Sequence, residues 1–108
     1  MLHELRIYHC MPRRLPDLSR RFKEHTLALS EKHGIRPVAF WTTLIGPDSN
    51  LLYYILEWQS LAERETRWNA FLADSVWQET RAKTEANGAL VARMENMILS
   101  PTSYSPLR

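Results

Sequence analysis

Residues 2–10 (LHELRIYHC) alternate between apolar and polar side chains, and this period of two predicts a β-strand. Leu5 and Ile7 share one face of that strand. The opposite face carries three residues able to do chemistry: Glu4, Arg6 and Tyr8. Because one face of a sheet strand usually packs on the core, we expect Leu5 and Ile7 to face inward.

A helix is predicted from Leu15 to Lys32 or His33, because apolar residues recur there at intervals of three, four and seven. Gly34 suits the left-handed position that ends such a helix. Two segments rich in β-branched and aromatic residues follow, at 38–45 and 51–58. The turn-forming stretch GPDSN between them predicts a hairpin with a loop of about five residues.

The second half of the chain predicts a bent helical region and a last strand. Ser60 and Glu63 form a capping box, which starts a helix. A second cap at Asp74 or Ser75 predicts a break, after which helix continues to about Glu85. Residues 91–99 (VARMENMIL) are predicted to be the fourth strand, and 100–108 an extended tail.

The predicted element order is strand, helix, strand, strand, helix, strand over a single domain, 1–108. This order is typical of the α+β class with a ferredoxin-like βαββαβ arrangement and a four-stranded antiparallel sheet of order 4-1-3-2. Helices cover one sheet face, and no element remains to cover the other. We expect a second copy of the chain to cover it, which makes a homodimeric α/β barrel with a cavity between the two sheets.

Composition narrows the range of partners. A chain of 108 residues, 44% of them hydrophobic, suffices for one core. The formal net charge of +2 is too small to attract nucleic acid strongly, and no apolar run reaches the ~20 residues that span a bilayer. The lone cysteine, Cys10, excludes an internal disulfide. We therefore expect a cytoplasmic protein without nucleic-acid or membrane partners.

Cofactor and metal motifs are lacking. The histidines stand at positions 3, 9, 25 and 33, without the spacing of a metal site. The three glycines are scattered, so no phosphate-binding loop is present. No local signature of Ser-His-Asp or Cys-His catalysis occurs either. The sequence predicts neither a cofactor nor a metal, and no catalytic residue can be named.

The candidate ligand-binding residues are those of the first strand together with one tryptophan of the second: Glu4, Arg6, Tyr8 and Trp41. Arg6 suits a carboxylate or carbonyl group, and the aromatic rings suit an apolar body. A structural interpretation, an ion-pair network lining or rimming the barrel, is favoured over this ligand-binding one. If strands 1 and 4 are antiparallel neighbours, Arg93 and Glu95 would form ion pairs with the charges of strand 1.

Five segments together resemble the NIPSNAP family: ELRIY, GIRPVAFWTTLIGPDSNLLYYILEW, SLAERETRW, FLADSVW and SPTSYSPL. The resemblance covers nearly the whole chain, and residues 71–77 are its most specific part. It implies a ferredoxin-like subunit within a dimeric α/β barrel. It implies no particular chemistry.

Three functions remain open. The first is a homodimeric barrel that binds a small, partly apolar molecule. The second, by analogy of fold, is a cofactor-free enzyme of the oxygenase or isomerase type, which needs a base such as Glu4 or His9. The third is a non-catalytic interaction module, which the arginines of the first helix favour.

Overall fold

The computed structural model describes residues 1–108. It contains four strands and four α-helices, with a π-helical turn between the first two helices. In chain order these are β1 (Leu2–Cys10), α1 (Leu15–Arg21), the π-turn (Phe22–Thr26), α2 (Leu27–Lys32), β2 (Arg36–Thr42), β3 (Leu51–Trp58), α3 (Leu61–Ala73), α4 (Ser75–Thr84) and β4 (Val91–Leu99).

The strands form one antiparallel sheet of order β2-β3-β1-β4, which confirms the predicted topology and the α+β class. The predicted limits of β1, β3 and β4 agree with the structure. β2 lies earlier than predicted, at Arg36–Thr42, and the hairpin loop is longer than five residues. Leu44 and Ile45, predicted in the strand, lie in this loop and are almost wholly exposed.

The helix predicted from residue 15 is continuous in direction but contains the π-turn. Leu27 donates its backbone N–H to the carbonyl of Phe22, five residues back. Gly34 ends the helix with a φ of +69°, and Ile35 donates its N–H to the Ser30 carbonyl at 2.8 Å. The left-handed glycine and the folded-back Ile35 confirm the predicted C-terminal cap.

Both predicted N-terminal caps are present. The Ser60 hydroxyl accepts a hydrogen bond from the Glu63 N–H at 3.1 Å, and Glu63 accepts from the Gln59 N–H. Asp74 breaks the helical region by ending α3 and accepting from the Val76 N–H at 2.8 Å. None of the helices combines the length and apolar composition needed to cross a membrane.

All helices pack on one face of the sheet, and the core lies between the two layers. Trp58, Leu18 and Leu90 are completely buried there. Leu52, Tyr54 and Leu56, alternate residues of β3, supply the sheet side of the core.

The predicted orientation of β1 is wrong. Glu4, Arg6 and Tyr8 face the helices, whereas Leu5 and Ile7 lie on the face that no helix covers. The register shows it, because Arg6 lies opposite Tyr54 of the core and Leu5 lies opposite Ile55. The inward polar residues are tolerated because side chains of other elements satisfy their hydrogen bonds.

The uncovered face carries an apolar row that crosses all four strands. In register order its members are Ala39, Ile55, Leu5 and Met97. Trp41 lies next to this row and is 50% exposed. This surface is called the open face below.

Candidate functional site

A cavity of about 500 Å³ lies between the sheet and the helices. Its volume is within the range that holds small-molecule ligands, about 300–1,000 Å³. Of its 23 lining residues, 13 are hydrophobic. The polar residues that matter most for its chemistry are Arg6, Tyr8, Arg21, Tyr54, Arg64 and Asn96. The cavity therefore combines apolar walls with several positively charged donors.

Glu4 is the centre of a buried polar network beneath the cavity. It is 0% exposed and accepts five hydrogen bonds from four side chains. Arg64 of α3 donates twice, at 2.7 and 3.0 Å, and Arg6 donates at 2.8 Å. Trp58 and Asn96 each donate at 3.1 Å. The carboxylate thereby ties β1 to β3, β4 and α3.

The charge state of Glu4 follows from these contacts. Burial by itself would raise the pKa of Glu4, but hydrogen bonds from Arg64, Asn96 and Arg6 outweigh burial and lower it to about 2. Glu4 is therefore a carboxylate at neutral pH. Two guanidinium groups share this one negative charge, so the network carries a net positive charge toward the cavity.

Arg6 is fully engaged by its surroundings. Besides Glu4, it contacts the Tyr8 hydroxyl at 3.3 and 3.4 Å, and its guanidinium lies 4.5 Å from the centre of the Trp68 ring. Contacts with Glu4 and Tyr8 of its own strand and with Trp68 of α3 therefore fix the position of the Arg6 side chain. Arg6 mainly holds the network in place.

The hydroxyl groups of Tyr8 and Tyr54 are 2.8 Å apart. Since two N–H groups of Arg6 face the Tyr8 oxygen, we assign Tyr8 as the donor to Tyr54. The hydrogen of the Tyr54 hydroxyl is then free to donate into the cavity. Burial, and next the neighbouring Tyr8, raise the pKa of Tyr54 well above its usual range, so this donor stays protonated.

Arg21 is the second buried arginine of the cavity and is only 7% exposed. The π-turn begins directly after it and widens the helix where Arg21, Phe22 and Thr26 all line the cavity. The Arg21 guanidinium lies 5.1 Å from the centre of the Trp77 ring. Unlike Arg6, Arg21 has no carboxylate within hydrogen-bond distance, since the Glu85 carboxylate lies at 3.9 Å.

Aromatic rings form two clusters on the cavity walls. Phe22, Phe40 and Tyr54 make one cluster, with ring centres 5.2–5.5 Å apart. Phe71 joins Trp68 and Trp77 in the other, at 5.7 and 4.9 Å. Such walls suit a flat or apolar ligand body.

The structure brings together some of the predicted site residues and separates others. Arg6 and Tyr8 line the cavity, and Glu4 lies just outside it as their anchor. Trp41 does not join them, because its position in β2 points it to the open face. Strand 4 does pair with strand 1, but Glu95 lies on the open side, where it contacts His9 at 2.6 Å. Arg93 lies 3.8 Å from Glu95 and makes no ion pair with strand 1, although it also borders the cavity.

The sequence prediction missed Arg21, Tyr54 and Arg64. One signal existed for Arg21, which falls three residues after Leu18, on the stripe of the helix that packs inward. Tyr54 lies in a strand that is apolar on both faces, so alternation did not orient it. His, Cys, Asp and Glu side chains form no group of three that could hold a metal ion.

Solved structures similar to this chain include NIPSNAP proteins. A NIPSNAP-like domain protein from Burkholderia xenovorans is 30% identical, with a TM-score of 0.85, over 97% of this chain and 88% of that chain. A NIPSNAP family protein from Agrobacterium tumefaciens is 27% identical, with a TM-score of 0.87, over 99% of this chain and 98% of that one.

A putative antibiotic biosynthesis monooxygenase from Deinococcus radiodurans shares the fold only. It is 11% identical, with a TM-score of 0.62, over 100% of this chain and 99% of that chain. Among curated proteins, none matches.

The profile of the NIPSNAP family matches residues 3–106, nearly the full length. The match agrees with the five segments that resemble the family and with the similar folds. This chain belongs to the NIPSNAP family.

Proposed function

We propose that the protein binds a small, partly apolar molecule in the cavity between its own sheet and helices. The observation that carries the proposal is a cavity of about 500 Å³ whose walls are aromatic and whose floor carries buried arginines. A buried arginine costs free energy unless it is paired, and Arg21 has no carboxylate within hydrogen-bond distance. Its place beside an open space points to a polar group of a ligand.

Binding without chemistry explains the site better than base catalysis does. Neither Glu4 nor His9, the two candidate bases, lines the cavity. Glu4 is a poor base because its pKa is about 2, and His9 lies on the open face beside Glu95. The interaction-module hypothesis does not account for the cavity.

The proposal is tested by thermal shift and calorimetry with neutral ligands, for which benzamide, 2-naphthamide and octanamide serve as probes. We expect at least one to bind saturably with one site per chain. Met94→Trp narrows the cavity at a half-exposed lining position, so it should weaken that binding. Val76→Trp is the control, because Val76 is similarly exposed on α4 and does not line the cavity.

Two outcomes would overturn the proposal. One is that none of the neutral probes, nor the corresponding carboxylates benzoate, 2-naphthoate and octanoate, binds the wild-type protein. The other is that Met94→Trp and Val76→Trp bind the probes equally well, since binding would then occur elsewhere.

We also propose that two copies assemble through the open face, in the cytoplasm. The apolar row across the four strands and the exposed Trp41 support this, because a surface of this kind is usually covered. Cys10 is a free thiol, which is compatible with a reducing compartment.

A further inference from the structure

We propose that the ligand is an apolar monocarboxylic acid and that Arg21 binds its carboxylate. This inference rests on the proposed function and adds the class of ligand to it. It makes Arg21 the polar end of the site, with the aromatic clusters as its apolar part.

Arg21 is buried but poorly satisfied. Its Nε–H is buried and has no hydrogen-bond partner. Its Nη1 reaches the Thr84 hydroxyl at 3.4 Å, at the long limit of a hydrogen bond, and the Glu85 carboxylate only at 3.9 Å. Burial lowers the pKa of Arg21, with Glu85 opposing that effect only in part. A guanidinium in this state gains most from a new anionic acceptor.

The four other arginines of the cavity lining are either paired with a closer carboxylate or largely exposed to solvent. Arg93 lies 3.8 Å from Glu95, and its side chain is 65% exposed. Arg6 and Arg64 share the carboxylate of Glu4. Arg81 contacts Glu85 at 3.0 Å, closer than Arg21 does, and its side chain is largely exposed. Glu85 is therefore better paired with Arg81. Among the cavity arginines, Arg21 alone is both buried and without a carboxylate within hydrogen-bond distance.

The surroundings of Arg21 define the ligand class. A planar carboxylate can accept two hydrogen bonds from one guanidinium, and the Arg21 guanidinium makes only one long hydrogen bond, to Thr84. Tyr54 offers a further neutral donor inside the same cavity. The remaining walls are mostly hydrophobic, so the rest of the ligand should be apolar. One under-satisfied cation matches one negative charge, which favours a monocarboxylate over a more highly charged group.

The test compares each carboxylate with the amide of the same skeleton: benzoate with benzamide, 2-naphthoate with 2-naphthamide and octanoate with octanamide. In the wild-type protein the better-fitting carboxylate should bind roughly 10- to 100-fold tighter than its amide. Arg21→Met should reduce carboxylate binding to the level of the amide while amide binding is retained. Retained amide binding shows that the variant is folded with its cavity intact.

Arg20→Met is the matched control, since Arg20 is the neighbouring arginine of α1 and its side chain is exposed. It should keep the full preference for the carboxylate. Arg21→Lys should keep part of that preference, because it retains the charge without the planar fork.

Arg21 also borders a hollow outside the cavity that is lined only by polar residues, Arg14 and Arg20 among them. Acetate distinguishes binding in the cavity from binding in the hollow, because it carries the negative charge of the larger acids but lacks their apolar part. It should compete only weakly with the larger carboxylates.

The inference is overturned if amide and carboxylate bind the wild-type protein equally, if Arg21→Met keeps the preference, or if Arg20→Met abolishes it. Acetate as effective as the larger acids would also overturn it, since binding would then be at the outer hollow. In each of these cases amide binding can persist, and the proposed function then stands. Absence of binding by both members of every pair instead removes the proposed function.

Discussion

Arg6 and Arg21 are both buried arginines that lie against tryptophan rings, yet their environments differ. Arg6 pairs with Glu4 at 2.8 Å, whereas Arg21 has no carboxylate within hydrogen-bond distance. Removing a partner from a buried ion pair is costly, but replacing an unpaired buried charge with an apolar side chain is often neutral or stabilising. The two residues should therefore respond in opposite ways to the same substitution.

We predict that Arg6→Met lowers the free energy of unfolding by about 3 kcal/mol and that Arg21→Met changes it by less than about 1 kcal/mol. Urea unfolding at pH 7 without ligand measures both. Equal losses in the two variants would show that Arg21 is a structural residue and would contradict the distinction.

Glu4 makes the stability depend on pH. Its pKa is lowered on folding from an ordinary value of 4.5 to about 2, so its contribution is complete above about pH 4.5 and is lost as the pH falls toward 2. We predict that Glu4→Gln is less stable than wild type at pH 6 and that the difference between the two shrinks between pH 4.5 and 2.5. Thermal unfolding across this range measures it.

Asp17→Asn is the control for Glu4→Gln, because Asp17 pairs with Arg14 and Arg20 at the surface. Exposed ion pairs contribute little, so this variant should follow the wild-type curve. A constant difference between Glu4→Gln and wild type at all pH values would contradict the ionised state of Glu4.

Alternation along β1 correctly grouped Glu4, Arg6 and Tyr8 on one face but assigned that face to the wrong side. The usual rule places charged residues outward. Here Trp58, Arg64 and Asn96 satisfy Glu4, and they come from three other elements. Such partners are distant in sequence, so the pattern of residues along β1 does not predict them.

At the level of elements, the residues close to each helix end were sufficient to predict where most helices begin and end. Ser60, Asp74 and Gly34 each act within a few residues, through caps whose geometry depends on the backbone nearby. The π-turn was not predicted, and it begins at Phe22, whose ring centre lies 5.3 Å from that of Tyr54 in the sheet. A tertiary contact of that kind leaves no signature in the order of residues.

The Asp74 carboxylate links two helices. It caps α4 through the Val76 N–H at 2.8 Å, and it accepts from Lys32 at 2.8 Å and from His33 at 2.7 Å, both at the end of α2. Hydrogen bonds from Lys32, and next from His33, hold the pKa of Asp74 well below its usual range. The residue thus combines a helix cap with a link between elements.

Two substitutions of Asp74 separate these roles. Asp74→Asn keeps an oxygen for the cap but loses the charge, and Asp74→Ala loses both. We predict that the Tm falls in the order wild type, Asp74→Asn, Asp74→Ala. Hydrogen exchange should show loss of protection in the first turn of α4 for Asp74→Ala alone. Equal protection in both variants would contradict a capping role.

For the whole molecule, the order of elements predicted the topology and one uncovered sheet face. The position of the cavity was not predictable in the same way. It depends on the π-turn helix and α3 standing away from the sheet around the aromatic clusters, and only the packed structure shows that spacing. The expected chamber between two sheets was inferred from the open face, whereas the observed cavity lies on the other side of the sheet.

If two copies assemble through the open face, a substitution in β4 should affect the assembly only when the side chain lies on that face. Met97 belongs to the apolar row of that face, while Met94, three residues earlier, lines the cavity on the opposite side. Both methionines are partly exposed, so glutamate should be tolerated at either position without loss of folding. A charge placed in the proposed interface must lose water when two copies meet, and two symmetry-related charges repel each other.

We predict that the wild-type protein and Met94→Glu sediment at micromolar concentration with twice the mass of one chain. The double variant Met97→Glu with Trp41→Glu should sediment as a single chain. A wild-type protein that sediments as a monomer would show that the open face is left uncovered, because the cavity within each chain does not require a second copy.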